Sequence, residues 1–163
     1  MPLSAITIRP IAPGDNAALA HIIRNALAEF GANKPGTVYF DPTTDALYQL
    51  FQQPRSVYYV AQKGNTIVGG GGIYPTEGLP ADTCELVKMY LIPEVRGIGL
   101  GRKLIERSLQ YAKDQHFSYV YIETMPELRH ALKAYEKLGF EYITKPLGNS
   151  GHFGCDLWML KKL

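Results

Sequence analysis

The apolar positions alternate between two spacings along the whole chain. Residues 5–9, Ala5-Ile6-Thr7-Ile8-Arg9, have the alternation of a first strand, closed by Pro10 and the Pro13-Gly14 turn. Leu19, Ile22, Ile23, Ala26, Leu27 and Phe30 then recur at helical steps, predicting an amphipathic helix with Asp15 placed to cap its start. Residues 31–36 break that helix, residues 37–42 read as loop, and Leu47, Leu50 and Phe51 mark a second short helix. Residues 56–61 and 66–70 predict a hairpin across Lys63-Gly64-Asn65. Gly69 to Gly72 lie in or beside its second strand, and consecutive glycines there call for a bulge or a close backbone approach.

An apolar run from Cys84 to Ile92 ends at Pro93, crosses a glycine-rich basic turn and opens into a helix. Leu100, Leu104, Ser108, Leu109 and Ala112 share one face of that helix. Residues 119–124 form a short buried strand one helix later, so a right-handed crossover sets these two strands parallel. Residues 127–138 read as helix, stopped by Gly139. Residues 140–143 and 154–160 are expected to form a last pair of strands around the Gly148-Asn149-Ser150-Gly151-His152 loop.

The turn carries the first chemistry. Gly97, Gly99 and Gly101 free the backbone and leave its amides uncovered. The amides that open a helix lack intrahelical partners and sit at the positive end of the peptide dipoles, so a phosphate fits there, reinforced by Arg96, Arg102 and Lys103. A P-loop would need Lys and a hydroxyl residue after the last glycine, and Arg102-Lys103-Leu104 offers none. A dinucleotide fingerprint would need a glycine where Arg102 stands.

The pattern Arg96-x-x-Gly99-x-Gly101 after a strand resembles the acetyl-CoA pyrophosphate loop of the GNAT superfamily of N-acetyltransferases. Glu85 stands in the preceding strand, eleven residues before Arg96, where many members carry a general base. Ala131-Leu132-Lys133-Ala134-Tyr135-Glu136-Lys137-Leu138-Gly139-Phe140 is similar to the family's later helix. The resemblance implies a single domain spanning residues 1–163, with an α+β (mixed α/β) fold. Its mixed, mostly antiparallel sheet would have about six to seven strands, two of them parallel and splayed in the middle, flanked by about four helices.

It further implies acetyl-CoA as cosubstrate, held by Arg96, Gly97, Ile98, Gly99, Leu100, Gly101 and Arg102, with Met89, Tyr90 and Leu91 along the pantetheine. Glu85 would act as base and Tyr135 would serve the departing thiolate; structural roles for both are the alternative. Where many members carry an Asn three residues before the alanine of the later helix, this chain has Leu128.

On the acceptor side, the segments bearing Asn33, Thr37, Tyr39, Asp41, Tyr74 and His152, with Glu123 on the central strand, are the expected lining. Carboxylates and aromatic faces favour a cation. The function expected is transfer of acetyl from acetyl-CoA to a primary amine of a small or amino-acid-like acceptor, by direct attack in a ternary complex. The competing expectations are a protein lysine or N-terminal acetyltransferase, and a non-catalytic acyl-CoA sensor.

Bulk properties are consistent with this picture. The chain is 46% hydrophobic and 20% charged, with a formal net charge of +2 from 17 basic and 15 acidic residues. No basic tract points to nucleic acid, no apolar run suits a membrane, and the N-terminus lacks a signal peptide's pattern, so a cytoplasmic protein is expected. Cys84 and Cys155 show no metal-ligand spacing, so no metal is expected, and a homodimer is allowed.

Overall fold

The computed structural model describes residues 2–163. Seven strands form one sheet: β1 (Ile6–Pro10), β2 (Val57–Lys63), β3 (Thr66–Tyr74), β4 (Thr83–Leu91), β5 (Tyr119–Thr124), β6 (Glu141–Ile143) and β7 (Leu157–Lys162), in the spatial order β1-β2-β3-β4-β5-β7-β6. Every neighbouring pair is antiparallel except β4 with β5. Four helices accompany the sheet: α1 (Asn16–Glu29), α2 (Leu47–Leu50), α3 (Leu100–Asp114) and α4 (Arg129–Lys137).

Both faces of the sheet are covered. Leu19, Ile23 and Leu27 of α1 pack with Leu47, Tyr58, Val60 and Met125 on one face. On the other, Ile105, Leu109 and Ala112 of α3 and Leu132 and Tyr135 of α4 pack on Cys84, Leu86, Val120 and Ile122. Among these, Leu19, Ile23, Leu27, Leu47, Leu109 and Ala112 lie at the helical spacings that assign them to the core.

The parallel pair is short. Its register runs only through Thr83↔Tyr119, Cys84↔Val120 and Glu85↔Tyr121, after which β4 continues to Leu91 beside β3 while β5 follows β7. The two central strands therefore part just beyond Glu85.

The glycine run is explained by a bulge. Gly70 stands opposite Tyr90 and Gly72 opposite Val87, so Gly71 faces two residues, Lys88 and Met89. Lys88 takes a left-handed φ of 53°, and a Cβ on Gly71 would lie 2.6 Å from the Met89 sulfur. The buried Tyr58 hydroxyl donates to the Lys88 carbonyl at 2.8 Å and pins the bulge.

The bulge changes which face each side chain takes. Cys84 and Leu86 point to α3, yet after the extra residue Tyr90 packs on the α1 side, and Met89 and Leu91 pack on the α3 side.

Several local expectations need correction. Asp15 makes no helix cap; its carboxylate accepts from the Ala12 amide at 2.7 Å and from the Arg9 guanidinium, closing the turn before α1 instead. The loop of residues 37–42 holds two tight helical turns, Val38–Phe40 and Pro42–Asp45. The later helix begins at Arg129, after Glu127 and Leu128. The last strand begins at Leu157, because the amides of Gly154 and Cys155 bond to Gly36 and His152 rather than to a neighbouring strand.

Candidate active site

The turn after β4 is shaped by backbone. Gly97 and Gly99 have φ of 77° and 90°, values that other residues adopt only with strain, while a Cβ at either would meet open space. Conformation, not crowding, requires glycine there. The first helical bond in α3 runs from the Lys103 amide to the Gly99 carbonyl at 3.1 Å, so the amides of Leu100, Gly101 and Arg102 precede the ladder without intrahelical partners. With the helix dipole behind them they form an anion site.

The arginines flanking the turn are differently employed than expected. Arg96 donates from Nε and Nη2 to the Leu91 carbonyl, at 3.2 and 2.9 Å, and from Nη1 to Glu29 at 2.7 Å, and it lies over the Phe30 ring. It ties the turn to the end of α1. Arg102 pairs with Glu106 one helical turn away at 2.8 Å. Attraction for a phosphate therefore comes first from the helix amides.

Glu85 occupies the last paired rung before the strands part. It is 4% exposed and accepts from the Thr76 hydroxyl at 2.6 Å. Burial first, then the charge of Glu123, pushes its carboxyl up to about 7, against the opposing pull of Thr76, His152 and Lys88. Such a group takes up a proton near neutral pH.

Across the sheet, Tyr135 packs edge-on to Phe140 at 5.9 Å and is 7% exposed. Burial raises its phenol to about 12, so it stays protonated at neutral pH and can donate. Its hydroxyl has no hydrogen bond among the described residues, and no fully buried side-chain oxygen or nitrogen there lacks a partner, so the hydroxyl touches open space. The Tyr90 phenol, raised by burial and by Tyr135, Cys155 and Tyr58, faces the same region. Leu128 packs against the α1-side core.

On the α1 side of β4, Asp41, Glu123 and His152 come together. His152 Nε2 lies 2.6 Å from Asp41 and its Nδ1 lies 4.0 Å from Glu123. Glu123 also accepts from the Tyr121 hydroxyl at 2.8 Å and from Ser150. For Asp41 burial is the largest influence and acts upward. The hydrogen bonds from His152 and Thr43, with the charge of Lys88, outweigh it and hold the carboxyl well below the usual range.

The other expected acceptor residues make no hydrogen bond to this cluster among the described residues, and Tyr74 stands opposite Glu85 in the β3–β4 register. Tyr39 packs on Phe40 at 5.0 Å and gives its carbonyl to Arg24. Tyr74 packs on Phe51 at 5.6 Å. Asn33 is exposed and makes no side-chain hydrogen bond among the described residues.

Sequence reasoning missed Lys88, Thr76, Tyr121 and Ser150. Lys88 carried a signal, being with Glu85 one of two charges inside the apolar run of β4. Thr76 depends on the β3–β4 register, and Tyr121 and Ser150 on the register of β5 and the path of the last loop.

Comparison with known proteins agrees with this architecture. Residues 22–140 match the sequence model of the acetyltransferase (GNAT) family. The chain is 44% identical over 151 residues to the uncharacterized N-acetyltransferase YjgM of Escherichia coli K12, covering 91% of this chain and 90% of that protein. In fold it is similar to a GNAT-family acetyltransferase of Staphylococcus aureus Mu50, with a TM-score of 0.82 at 19% identity over 96% of this chain and 98% of that one. It is also similar to the PaiA N-acetyltransferase of Thermoplasma acidophilum, solved in complex with coenzyme A, with a TM-score of 0.75 at 18% identity over 97% and 99% of the two chains.

The chain belongs to the acetyltransferase (GNAT) family. It is accordingly an acyltransferase enzyme, an N-acetyltransferase, as the resemblance of its turn and later helix implied. Among the described residues no helix is long and apolar enough to cross a membrane.

Proposed function

We propose that the protein transfers the acetyl group of acetyl-CoA to a small primary amine by direct attack within a ternary complex. The observation that carries this is the placement of Glu85 and Tyr135 on opposite faces of the sheet where β4 and β5 part. A carboxyl near 7 on one side and a protonated phenol on the other are matched to taking one proton and giving another.

Acetyl-CoA supplies the activated thioester. The amides of Leu100, Gly101 and Arg102 receive its pyrophosphate, and the stretch of β4 from Met89 to Leu91, still paired with β3 but parted from β5, lies along the gap where its arm runs. Glu85 accepts a proton from the acceptor ammonium, directly or through water, freeing the nitrogen lone pair to form the amide bond. As the carbon–sulfur bond breaks, the Tyr135 hydroxyl donates its proton to the thiolate.

A small acceptor is favoured over a polypeptide by the way the last loop closes this side. Its Asn149 amide bonds to the Glu77 carbonyl at 2.6 Å, and its Gly154 amide to the Gly36 carbonyl at 2.7 Å. Asp41 and His152 meet beneath that closure.

The test is thiol release as a function of pH. Wild-type rates should rise through about pH 7. Glu85→Gln should abolish that limb and slow turnover by roughly 10²- to 10⁴-fold. Tyr135→Phe should lower kcat while leaving coenzyme affinity unchanged. An unaltered pH profile in Glu85→Gln would remove it as the base.

A further inference from the structure

Lys88 is a buried cation that the fold leaves without a counterpart among the described residues. It is 7% exposed, and it makes no side-chain hydrogen bond and no ion pair within 4.0 Å among the described residues, whereas Arg9, Arg24, Lys34, Arg96 and Arg102 each have one. A lysine buried without a partner is costly. Its amino group is not sealed in apolar core, because no fully buried side-chain nitrogen there lacks a partner. It opens onto the cleft.

The bulge puts it there. In an unbroken strand Lys88 would follow Leu86 toward α3. As the extra residue opposite Gly71, with a φ of 53° and its carbonyl held by Tyr58, it falls on the side of Glu85 and Asp41; burial lowers its amine below the usual lysine range, and the charges of Asp41 and Glu85 oppose that shift. Both carboxylates already have partners: Asp41 bonds to His152 and Thr43, and Glu85 to Thr76. A strained backbone thus presents a buried positive charge to the acceptor cleft and stops short of neutralising it.

We propose that Lys88 binds a carboxylate of the acceptor, and that the acceptor is a small molecule carrying that carboxylate close to its amine, as an amino acid does. This rests on the acetyl-transfer reading above. Glu85 and Lys88 are three residues apart on one face, about 10 Å along a strand that rises about 3.3 Å per residue. An amino acid fits between their side chains with its ammonium toward Glu85 and Glu123 and its carboxylate toward Lys88. An amine without the carboxylate leaves the buried charge unpaired, and a site built for one partner rejects an analogue that lacks it.

The test uses acetyl-CoA with the common amino acids, their carboxamides and their decarboxylated amines, reading thiol release and the N-acetyl product by mass spectrometry. At least one amino acid should exceed its own carboxamide in kcat/KM by roughly tenfold to hundredfold. Lys88→Gln and Lys88→Met should collapse that ratio toward one, Lys88→Arg should retain part of it, and calorimetric affinity for acetyl-CoA should be unchanged in all three.

The inference is overturned if wild type acetylates carboxamides or decarboxylated amines as well as the acids, if the ratio survives in Lys88→Gln, or if acetyl-CoA binds but no amino acid is acetylated. Should the variants fail to fold, the wild-type ratio decides alone. Failure of acetyl-CoA to bind would instead overturn the acetyl-transfer reading itself.

Discussion

From Arg96 to Arg102, seven consecutive residues build one side of the candidate active site, whereas on the proposed acceptor side Asp41 and His152 meet across 111 positions of chain. The turn is made of backbone: two left-handed glycines and three free amides, with its arginines turned to Glu29 and Glu106. The acceptor side is made of side chains, each held by a neighbour from a different element. A backbone site depends on a few local dihedral angles, and side-chain substitutions beside it are cheap. A side-chain cluster is a set of coupled charges, so changing one member shifts the protonation of the rest.

The largest effect expected from breaking this contrast is at Gly99. Gly99→Glu forces a side chain onto a φ of 90° and sets a carboxylate at the anion site. Left-handed strain of about 1–2 kcal/mol plus like-charge repulsion should cut acetyl-CoA affinity more than about hundredfold in calorimetry. Gly99→Ala, carrying the strain alone, should lose less. Equal affinity in wild type and folded Gly99→Glu would show that the turn is not where the coenzyme phosphates bind.

An intermediate effect is expected at Asp41, where the lowered carboxyl pKa makes stability depend on pH. The ionised form is favoured in the folded protein, so its contribution is full above the ordinary value of 3.8 and is lost as pH falls toward the depressed folded value. Asp41→Asn should therefore lower stability by about 1–2 kcal/mol at pH 7, the scale of a charged hydrogen bond, and by less in acid. Denaturant melts at both pH values give the answer. A deficit independent of pH would mean that packing, not the His152 pair, is what Asp41 contributes.

The smallest effect sharpens the comparison from the other direction. The Arg96 and Glu29 side chains are 27% and 42% exposed, and exposed pairs contribute at most about 1 kcal/mol. Glu29→Gln should change acetyl-CoA affinity less than about threefold, because the Leu91 carbonyl still holds Arg96. A tenfold loss would show that the turn relies on side-chain tethering after all.

Much of the architecture was legible because it is periodic. The alternation in residues 5–9, the helical stripe from Leu19 to Phe30, and the run from Cys84 through the glycine turn to Ala112 map onto β1, α1, β4 and α3 with small shifts at their ends. The parallel pairing of β4 and β5 followed from the single intervening helix. Element ends were less legible. Asp15 took Arg9 and the Ala12 amide rather than the helix start, and residues 154 and 155 were drawn out of β7 by bonds to Gly36 and His152.

What this sequence determined by itself is therefore what neighbouring residues decide together: the strands and helices, the left-handed glycines of the turn, and Glu85 in the strand that leads to it. Tertiary structure alone decided which side chains meet. Arg96 faces Glu29 because α1 ends beside the turn, and His152 faces Asp41 because the last loop closes over the first. Lys88 faces the acceptor side because Gly71 leaves room for Met89 while Tyr58 holds the extra residue's carbonyl. A two-residue period assigns Lys88 to the opposite face, and only the packing across three strands shifts that register by one residue.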